Sequence, residues 1–138
     1  TGIALLAHAE LADRAADALA GRAGREALTA LADVYRDYAR EHPGRFAAAQ
    51  LRLDPETAAA SAGVRQAQLT RALLRGYDLA EPDQTHAVRL LGSVFYGYVG
   101  MELGGSFSHS SPGPEESWSR VLDALDALLR NWPPAPAP

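Results

Sequence analysis

Apolar residues recur at steps of three and four along almost the whole chain, and no segment alternates apolar and polar residues as a strand would. The clearest case is the run through Leu28, Leu31 and Tyr35, which places one apolar stripe along a helix. A chain of 138 residues fits one domain, because compact domains cluster near ~100 to 150 residues. The sequence therefore predicts a single all-α bundle of about five or six helices.

Glycine and proline mark where these helices begin and end. Pro43 stops the second helix, since proline cannot continue the hydrogen-bond ladder. Pro55 and Pro82 suit the first turn of a helix, where the missing N–H is not needed. The expected helices cover about 3–20, 28–42, 55–76, 82–103 and 114–132, with a short apolar piece at 46–53. Residues 1–132 are expected to form the domain, and 133–138, PPAPAP, a disordered tail.

Charge and composition narrow the functions that this chain alone can have. The formal net charge is -4 and the basic residues are scattered, so the domain alone should not hold DNA. The absence of cysteine excludes disulfides, thiolate nucleophiles and cysteine-ligated metal centres. No apolar run approaches the ~20 residues that cross a bilayer, and the N-terminus does not resemble a signal peptide. We therefore expect a cytoplasmic protein without a membrane partner.

The sequence contains no pattern that predicts metal or catalytic chemistry. The histidines are widely separated: His8, His42, His86 and His109. None belongs to a paired-histidine or Glu-x-x-His motif, and the nearest pattern, Asp83-x-x-His86, suits a helix start better than a ligand set. Nothing resembles a nucleophile elbow or a glycine-rich phosphate loop. We therefore expect no metal, no cofactor and no enzyme activity.

The last two helices carry features that predict contact with another helix. In the penultimate helix, small residues share one face at steps of four, three and four: Ser93, Gly97, Gly100 and Gly104. Glycine inside a helix is unfavourable by ~1 kcal/mol relative to alanine, so this alignment suggests a neighbour pressed close. The last helix has a larger apolar stripe than a small bundle needs. Its predicted interface residues are Trp118, Val121, Leu122, Leu125 and Leu129.

Two interpretations of the small-residue face stay open. It could pack closely against a helix of the same chain. It could instead meet a second copy, so that the last two helices of each chain form a four-helix bundle around a two-fold axis. Two-fold symmetry is the commonest arrangement among soluble oligomers. The second interpretation predicts a homodimer.

Three stretches together resemble a known family. They are GREALTALADVYRDYAREHPGRFA at 24–47, HAVRLLGSVFYGYVGMELGGSF at 86–107 and EESWSRVLDALDALL at 115–129. Their order and spacing are similar to the C-terminal, ligand-sensing domain of TetR-family transcription regulators. The resemblance is to the subgroup whose penultimate helix carries a tryptophan-histidine-glycine signature, and it spans nearly the whole chain.

The resemblance implies a function as well as a fold. Members of this family are homodimers that repress transcription, with an N-terminal helix-turn-helix domain and a C-terminal helical domain that binds a small effector. No helix-turn-helix precedes Ile3, so the resemblance implies an excised or truncated regulator. DNA would be bound only through the missing N-terminal domain.

The signature itself is altered in this chain. If it aligns on Gly97, its histidine falls on Tyr96 and its tryptophan on Gly92. A bulky residue is then missing on the face where a phenol has appeared, which would enlarge or reshape a cavity. The effector known for any relative is therefore not expected to carry over.

Aromatic and amphipathic side chains are the candidates for lining a pocket that takes a small lipophilic or aromatic effector. The candidate effector-binding residues are Tyr35, Tyr38, Phe46, Gly92, Phe95, Tyr96 and Met101. Each aromatic residue also suits an ordinary core position. The resemblance therefore predicts an effector-sensing and dimerisation domain of a one-component regulator. Two alternatives stay open. One is a structural dimerisation module with no ligand, and the other is a small helical enzyme or binding protein unrelated to transcription.

Overall fold

A computed structural model describes residues 2–137 of the chain. In this range the chain forms seven α-helices and no strand, so the predicted all-α fold is confirmed. The helices are α1 Gly2–Leu19, α2 Gly24–Glu41, α3 Pro43–Ala48, α4 Pro55–Ala60, α5 Gly63–Gly76, α6 Asp83–Leu103 and α7 Pro114–Arg130. Residues 133–137 follow α7 without regular secondary structure. Thr1 of the predicted domain and Pro138 of the predicted tail lie outside the described residues.

Two short helices explain why the number exceeds the five or six that the sequence predicts. The segment predicted as one helix over 55–76 is divided at Ser61, whose backbone is extended with a ψ of 161°. The Ser61 hydroxyl donates to the Ala58 carbonyl at 2.8 Å and accepts from the Gly63 amide at 3.2 Å. These bonds replace those of a continuous helix. The second short helix is α3, which places Phe46 in the core at 1% exposure.

The central helix is α2, which packs against α1, α3, α5, α6 and α7. Its stripe of apolar residues fills the core, and Leu28 and Tyr38 are both 0% exposed. Buried positions on α1 are mostly alanine, such as Ala7 and Ala12, and these small side chains let α1 lie close to its neighbours. Every other long helix therefore covers one side of α2.

The outer helices α6 and α7 each bury one face and expose the other. Leu91, Phe95 and Val99 of α6 are at most 2% exposed, and α6 packs against α2 and α5. The buried face of α7 packs against α2. Because each helix meets the bundle on one side only, both present an outer face to solvent.

A buried ion pair ties α2 to α6 and α7. Arg36 on α2 is 4% exposed, and its Nε and Nη2 each donate to Glu102 on α6 at 2.9 Å. Its Nη2 also donates to Glu115 on α7 at 2.7 Å, and its guanidinium lies 5.6 Å from the centroid of the Trp118 ring. The hydrogen bonds from Arg36 hold the pKa of Glu102 below its usual range. The carboxylate of Glu102 is therefore charged at neutral pH.

Candidate ligand cavity and exposed helix faces

A cavity of about 210 Å³, partly open to solvent, lies where α1, α2, α5 and α6 meet. Four of the predicted effector-binding residues line it: Tyr35, Gly92, Phe95 and Tyr96. The other lining residues, which sequence analysis did not select, are His8, Gly63, Gln66, Ala67, Thr70, Val88 and Leu91. Most of the polar groups in its wall come from α1 and α5, and the aromatic rings come from α2 and α6.

The other three predicted effector-binding residues, Tyr38, Phe46 and Met101, do not line this cavity. The Tyr38 hydroxyl instead donates to Glu10 of α1 at 2.8 Å. Phe46 is buried and stacks on Tyr96, with ring centroids 5.1 Å apart. Met101 lies on the outer face of α6 and is 52% exposed. Helical spacing identified these residues as apolar or aromatic but did not distinguish the sides of each helix.

Hydrogen bonds join the polar wall of the cavity across three helices. The Tyr35 hydroxyl on α2 donates to Oε1 of Gln66 on α5 at 3.0 Å. Nε2 of Gln66 lies 2.8 Å from Nδ1 of His8 on α1. The Thr70 hydroxyl donates to the Gln66 carbonyl at 3.0 Å. Gln66 is 7% exposed. Both the oxygen and the nitrogen of its side-chain amide therefore have partners, and the amide links α1 to α2.

Burial sets the charge state of the ionisable groups in the cavity. It lowers the pKa of His8 below the usual 6.5, against the opposing effect of a backbone hydrogen bond with Ala49. Burial also raises the pKa of Tyr35, and it raises that of Tyr96 to about 12. At neutral pH the imidazole is uncharged and both phenols keep their protons. The cavity therefore offers aromatic faces and hydrogen-bonding groups without a charge.

Gly92 leaves open space in the α6 wall of the cavity. A Cβ built at this position would meet no atom within 4 Å. Phe95 follows on the same helix and packs beside Tyr35, with ring centroids 5.4 Å apart. Alanine would stabilise the middle of α6 by ~1 kcal/mol relative to glycine. The chain thus keeps this volume free at a position where helix stability favours a side chain.

Replacing Gln66 by leucine is expected to lower the free energy of unfolding by about 2–4 kcal/mol. The Tyr35 hydroxyl and the His8 ring would each lose a partner in a largely buried site. Urea unfolding measures the change. The matched control is Gln68→Leu, an exposed position on the same helix, where a change within ~0.5 kcal/mol is expected. Equal effects at the two positions would contradict the structural role of the Gln66 hydrogen bonds.

The small residues predicted to face another helix lie on the exposed side of α6. They are Ser93, Gly97, Gly100 and Gly104. A Cβ at Gly97 or Gly100 would meet nothing within 4 Å, and one at Gly104 would meet only carbonyl oxygens of its own helix, the nearer at 3.4 Å. Among residues 2–137, no helix packs against this face. The interpretation that it packs closely within the same chain is therefore wrong for the described residues.

Most α7 residues predicted for the dimer interface instead contact the core of their own chain. The exposed fractions are 3% for Trp118, 2% for Leu122, 6% for Leu125 and 1% for Leu129. Val121 is partly buried against the same core, and the Trp118 indole N–H donates to Asp33 of α2 at 2.9 Å. These contacts explain the large apolar stripe without a partner, because α7 uses it to cover α2. The exposed face of α7 carries Arg120, Ala124, Ala127 and Leu128.

In the described range 2–137, no group of three or more histidine, aspartate or glutamate residues is placed to bind a metal ion. None of the helices in that part of the chain is long and apolar enough to cross a membrane.

Comparison with known proteins identifies one family and two relatives. Residues 28–125 match the model of the tetracyclin repressor-like C-terminal domain. The chain is 36% identical over 90 residues to the uncharacterized HTH-type transcriptional regulator Rv0681 of Mycobacterium tuberculosis, an alignment that covers 62% of this chain and 40% of that protein. It is 29% identical over 122 residues to the uncharacterized HTH-type transcriptional regulator YobS of Bacillus subtilis, covering 88% of this chain and 64% of that protein. The chain thus spans less than two thirds of the length of these curated relatives.

Proposed function

Since the chain belongs to the tetracyclin repressor-like C-terminal domain family, we propose that it is the effector-sensing and dimerisation domain of a cytoplasmic one-component transcription regulator. In this proposal the regulator is a repressor, and an N-terminal helix-turn-helix domain outside this chain binds DNA. The relatives are named as HTH-type transcriptional regulators and are longer than the region they share with this chain, which supports such an arrangement.

The cavity is the observation that carries the sensing role. A module that only dimerised would gain stability from a filled interior, since cavities destabilise proteins in proportion to their volume. Here about 210 Å³ stays open beside Gly92, and aromatic rings form its walls as in many small-molecule pockets. A structural module without a ligand is therefore the weaker candidate. An unrelated enzyme is weaker still, because the described residues lining the cavity include one imidazole and no carboxylate.

The effector is proposed to act through α1. His8 of α1 forms part of the cavity wall and is hydrogen-bonded to Gln66, so a compound that displaces this wall also displaces α1. Because α1 is the first helix of this chain, it would be the helix that follows the N-terminal DNA-binding domain in the proposed full regulator. The effector would then shift the population between two arrangements of the dimer that space the DNA-binding domains differently. An effector that binds the full-length regulator without changing its operator affinity would refute this mechanism.

Replacing Gly92 by tryptophan is expected to abolish effector binding while the domain stays folded. The indole would occupy the open space beside Gly92, and α6 would gain helix propensity. The test is a thermal-shift screen of lipophilic and aromatic compounds, in which a ligand of the native state raises the melting temperature with its concentration. Gln68→Trp, which adds the same ring at an exposed position, should keep the response. Compounds that stabilise the unchanged chain, Gly92→Trp and Gln68→Trp equally would contradict a role for this cavity.

The outer faces of α6 and α7 are proposed to form the homodimer interface. The α6 face carries small residues that let a second helix approach closely, and Gly97 and Gly100 have open space above them. Met101 on α6 is 52% exposed and Leu128 on α7 is 40% exposed, so each of the two outer faces also carries an exposed apolar side chain. Two copies related by a two-fold axis would bury both helices in a four-helix bundle.

Replacing Gly97 by alanine distinguishes a dimer from a monomer by the sign of its effect. In an isolated chain the substitution should stabilise the protein by up to ~1 kcal/mol, because the new methyl meets open space and alanine favours the helix. In a dimer with closely packed α6 helices, we expect the substitution to raise the dissociation constant about tenfold, which corresponds to ~1.4 kcal/mol. Sedimentation equilibrium measures the dissociation constant. Gly92→Ala, on another face of the same helix, is the control and should leave it unchanged.

A further inference from the structure

We propose, on the basis of the sensing role proposed above, that the cavity binds an uncharged aromatic compound with a single ring and one hydrogen-bond acceptor, and that the Tyr96 hydroxyl donates to this acceptor. The size of the cavity, the absence of charge in its wall and the unequal pairing of its polar groups together lead to this ligand class. Each of these features is independent of the others.

The cavity is unsuited to a charged compound. Among the described residues that line it, none is arginine, lysine, aspartate or glutamate, and the only group of basic character is the imidazole of His8. Burial disfavours the charged form of this ring. A carboxylate or an ammonium group placed against the inner wall of the cavity would therefore lose hydration without gaining an ionic partner. The effector class is thus neutral at physiological pH.

The polar groups in the wall differ in whether they already have partners. Both ends of the Gln66 side-chain amide are engaged, by Tyr35 and by His8. Within residues 2–137 the Tyr96 hydroxyl, in contrast, has no hydrogen-bond partner, although burial raises its pKa to about 12. Every fully buried side-chain polar atom in that described part of the chain is paired, so the unpaired hydroxyl must reach open space. Because Tyr96 lines the cavity, we infer that this open space is the cavity.

A protonated phenol in an apolar pocket is best satisfied by an acceptor on the ligand. The ring of Tyr96 is held in place for this role, because Phe46 stacks on it at 5.1 Å and Tyr35 meets it edge-on at 5.4 Å. Little ordering of this side chain would be needed on binding. A carbonyl, amide or ester oxygen on the ligand fits the donor, whereas a hydrocarbon would leave the hydroxyl unpaired.

The volume and the walls of the cavity define the rest of the ligand. An apolar cavity of about 150 Å³ holds one benzene molecule. At about 210 Å³, this cavity has room for one ring with a short substituent. Phe95 and Tyr35 provide aromatic faces against which such a ring can pack. A fused polycyclic compound would extend beyond the walls of the cavity into solvent.

The experiment compares three compounds of similar size: benzamide, benzoate and ethylbenzene. The first is neutral with an acceptor, the second is its charged counterpart, and the third has no acceptor. Binding to the whole chain is followed by the backbone amide resonances of Gly92 and Gly63, which lie in the cavity wall. We expect benzamide to shift these resonances with a Kd at least tenfold below that of benzoate. In Tyr96→Phe the affinity for benzamide should fall about fivefold to tenfold, while that for ethylbenzene stays unchanged or rises.

Two results would overturn the inference. Benzoate binding as tightly as benzamide would contradict a neutral ligand, and an unchanged benzamide affinity in Tyr96→Phe would contradict the role of the hydroxyl. If none of the three compounds shifts the Gly92 resonance, the ligand class is also wrong. A different result would refute the sensing role itself. This result is a wider thermal-shift screen in which no compound stabilises the chain, or in which Gly92→Trp keeps every stabilising effect.

Discussion

Replacing Arg36 by methionine is expected to lower the free energy of unfolding by about 3–5 kcal/mol. Arg36 is 4% exposed and donates to Glu102 through two nitrogens, and the side chain of Glu102 is itself only 15% exposed. Without the guanidinium, the carboxylate of Glu102 would stay in a largely buried site with only its longer contact to Arg40, whose Nη2 lies 3.6 Å away. Its charge would then be poorly compensated. Glu115, at 77% side-chain exposure, can be hydrated instead and adds little to the loss.

The double variant Arg36→Met with Glu102→Leu tests the cause of that loss. Replacing both partners of a buried ion pair by apolar residues is often neutral or stabilising, so the double variant should be more stable than Arg36→Met alone. The exposed pair Arg65 and Asp13 provides the control, and Arg65→Met should change stability by less than ~1 kcal/mol. Urea denaturation at one fixed protein concentration gives all of these values. If the double variant is no more stable than Arg36→Met, the loss comes from packing of the arginine stem and not from a stranded charge.

The second large effect is expected at Leu122, where alanine should lower the free energy of unfolding by about 2–5 kcal/mol. Leu122 is 2% exposed in the core of its own chain, so its truncation leaves a cavity there. Leu128 lies on the opposite, outer face of α7 and is 40% exposed. Leu128→Ala should leave the folding of one chain nearly unchanged and weaken the proposed dimer instead.

The two leucine variants are to be compared by unfolding at several protein concentrations and by sedimentation equilibrium. For Leu122→Ala we expect a stability loss that a higher protein concentration does not recover. For Leu128→Ala we expect a higher dissociation constant with little change in the stability of the monomer. The reverse pattern, with Leu122 controlling association and Leu128 controlling folding, would contradict the assignment of the two α7 faces.

The sequence predicted the helical fold well because helices leave a strong local pattern. Proline and glycine placed most of the boundaries, and the helix start at Pro55 is observed, with Asp54 accepting from the Thr57 amide at 2.9 Å. The break at Ser61 was missed because it depends on hydrogen bonds of one hydroxyl, which helical periodicity does not report. Local pattern therefore predicts where a helix exists better than where it is interrupted.

The faces of the helices were harder to predict than the helices. The small residues of α6 were expected to meet another helix, and the structure leaves them uncovered within residues 2–137. The apolar stripe of α7 was assigned to a partner, because one sequence does not show how much of the central helix α2 still needs covering. Trp118 and Leu122 belong to that cover. A stripe identifies a buried face but not which molecule buries it.

The cavity was predicted in part, and the missing part lies in distant segments. Tyr35, Phe95 and Tyr96 were selected as aromatic residues on helix faces, and the altered signature pointed to Gly92. His8 and Gln66 are 58 positions apart in the sequence, and only the packing of α1 against α5 brings them together. The sequence signal for this network was Gln66, a polar residue at a position that is buried in the structure. The helical periodicity of α5 did not predict that Gln66 would be hydrogen-bonded to His8 and Tyr35.

If the chain is a dimeric sensor whose effector moves α1, as proposed, the distance between the two α1 helices of the dimer must change when the effector binds. The chain has no cysteine, so Ile3→Cys gives a single labelling site at the exposed N-terminal end of α1. Electron spin resonance of the spin-labelled protein then measures the distance between labels in the presence and absence of saturating benzamide. We expect one intermolecular distance in the free protein and a shift to a different distance in the complex, which Gly92→Trp should abolish. The absence of an intermolecular distance would contradict the dimer, and a distance that stays unchanged while benzamide is bound would contradict the movement of α1.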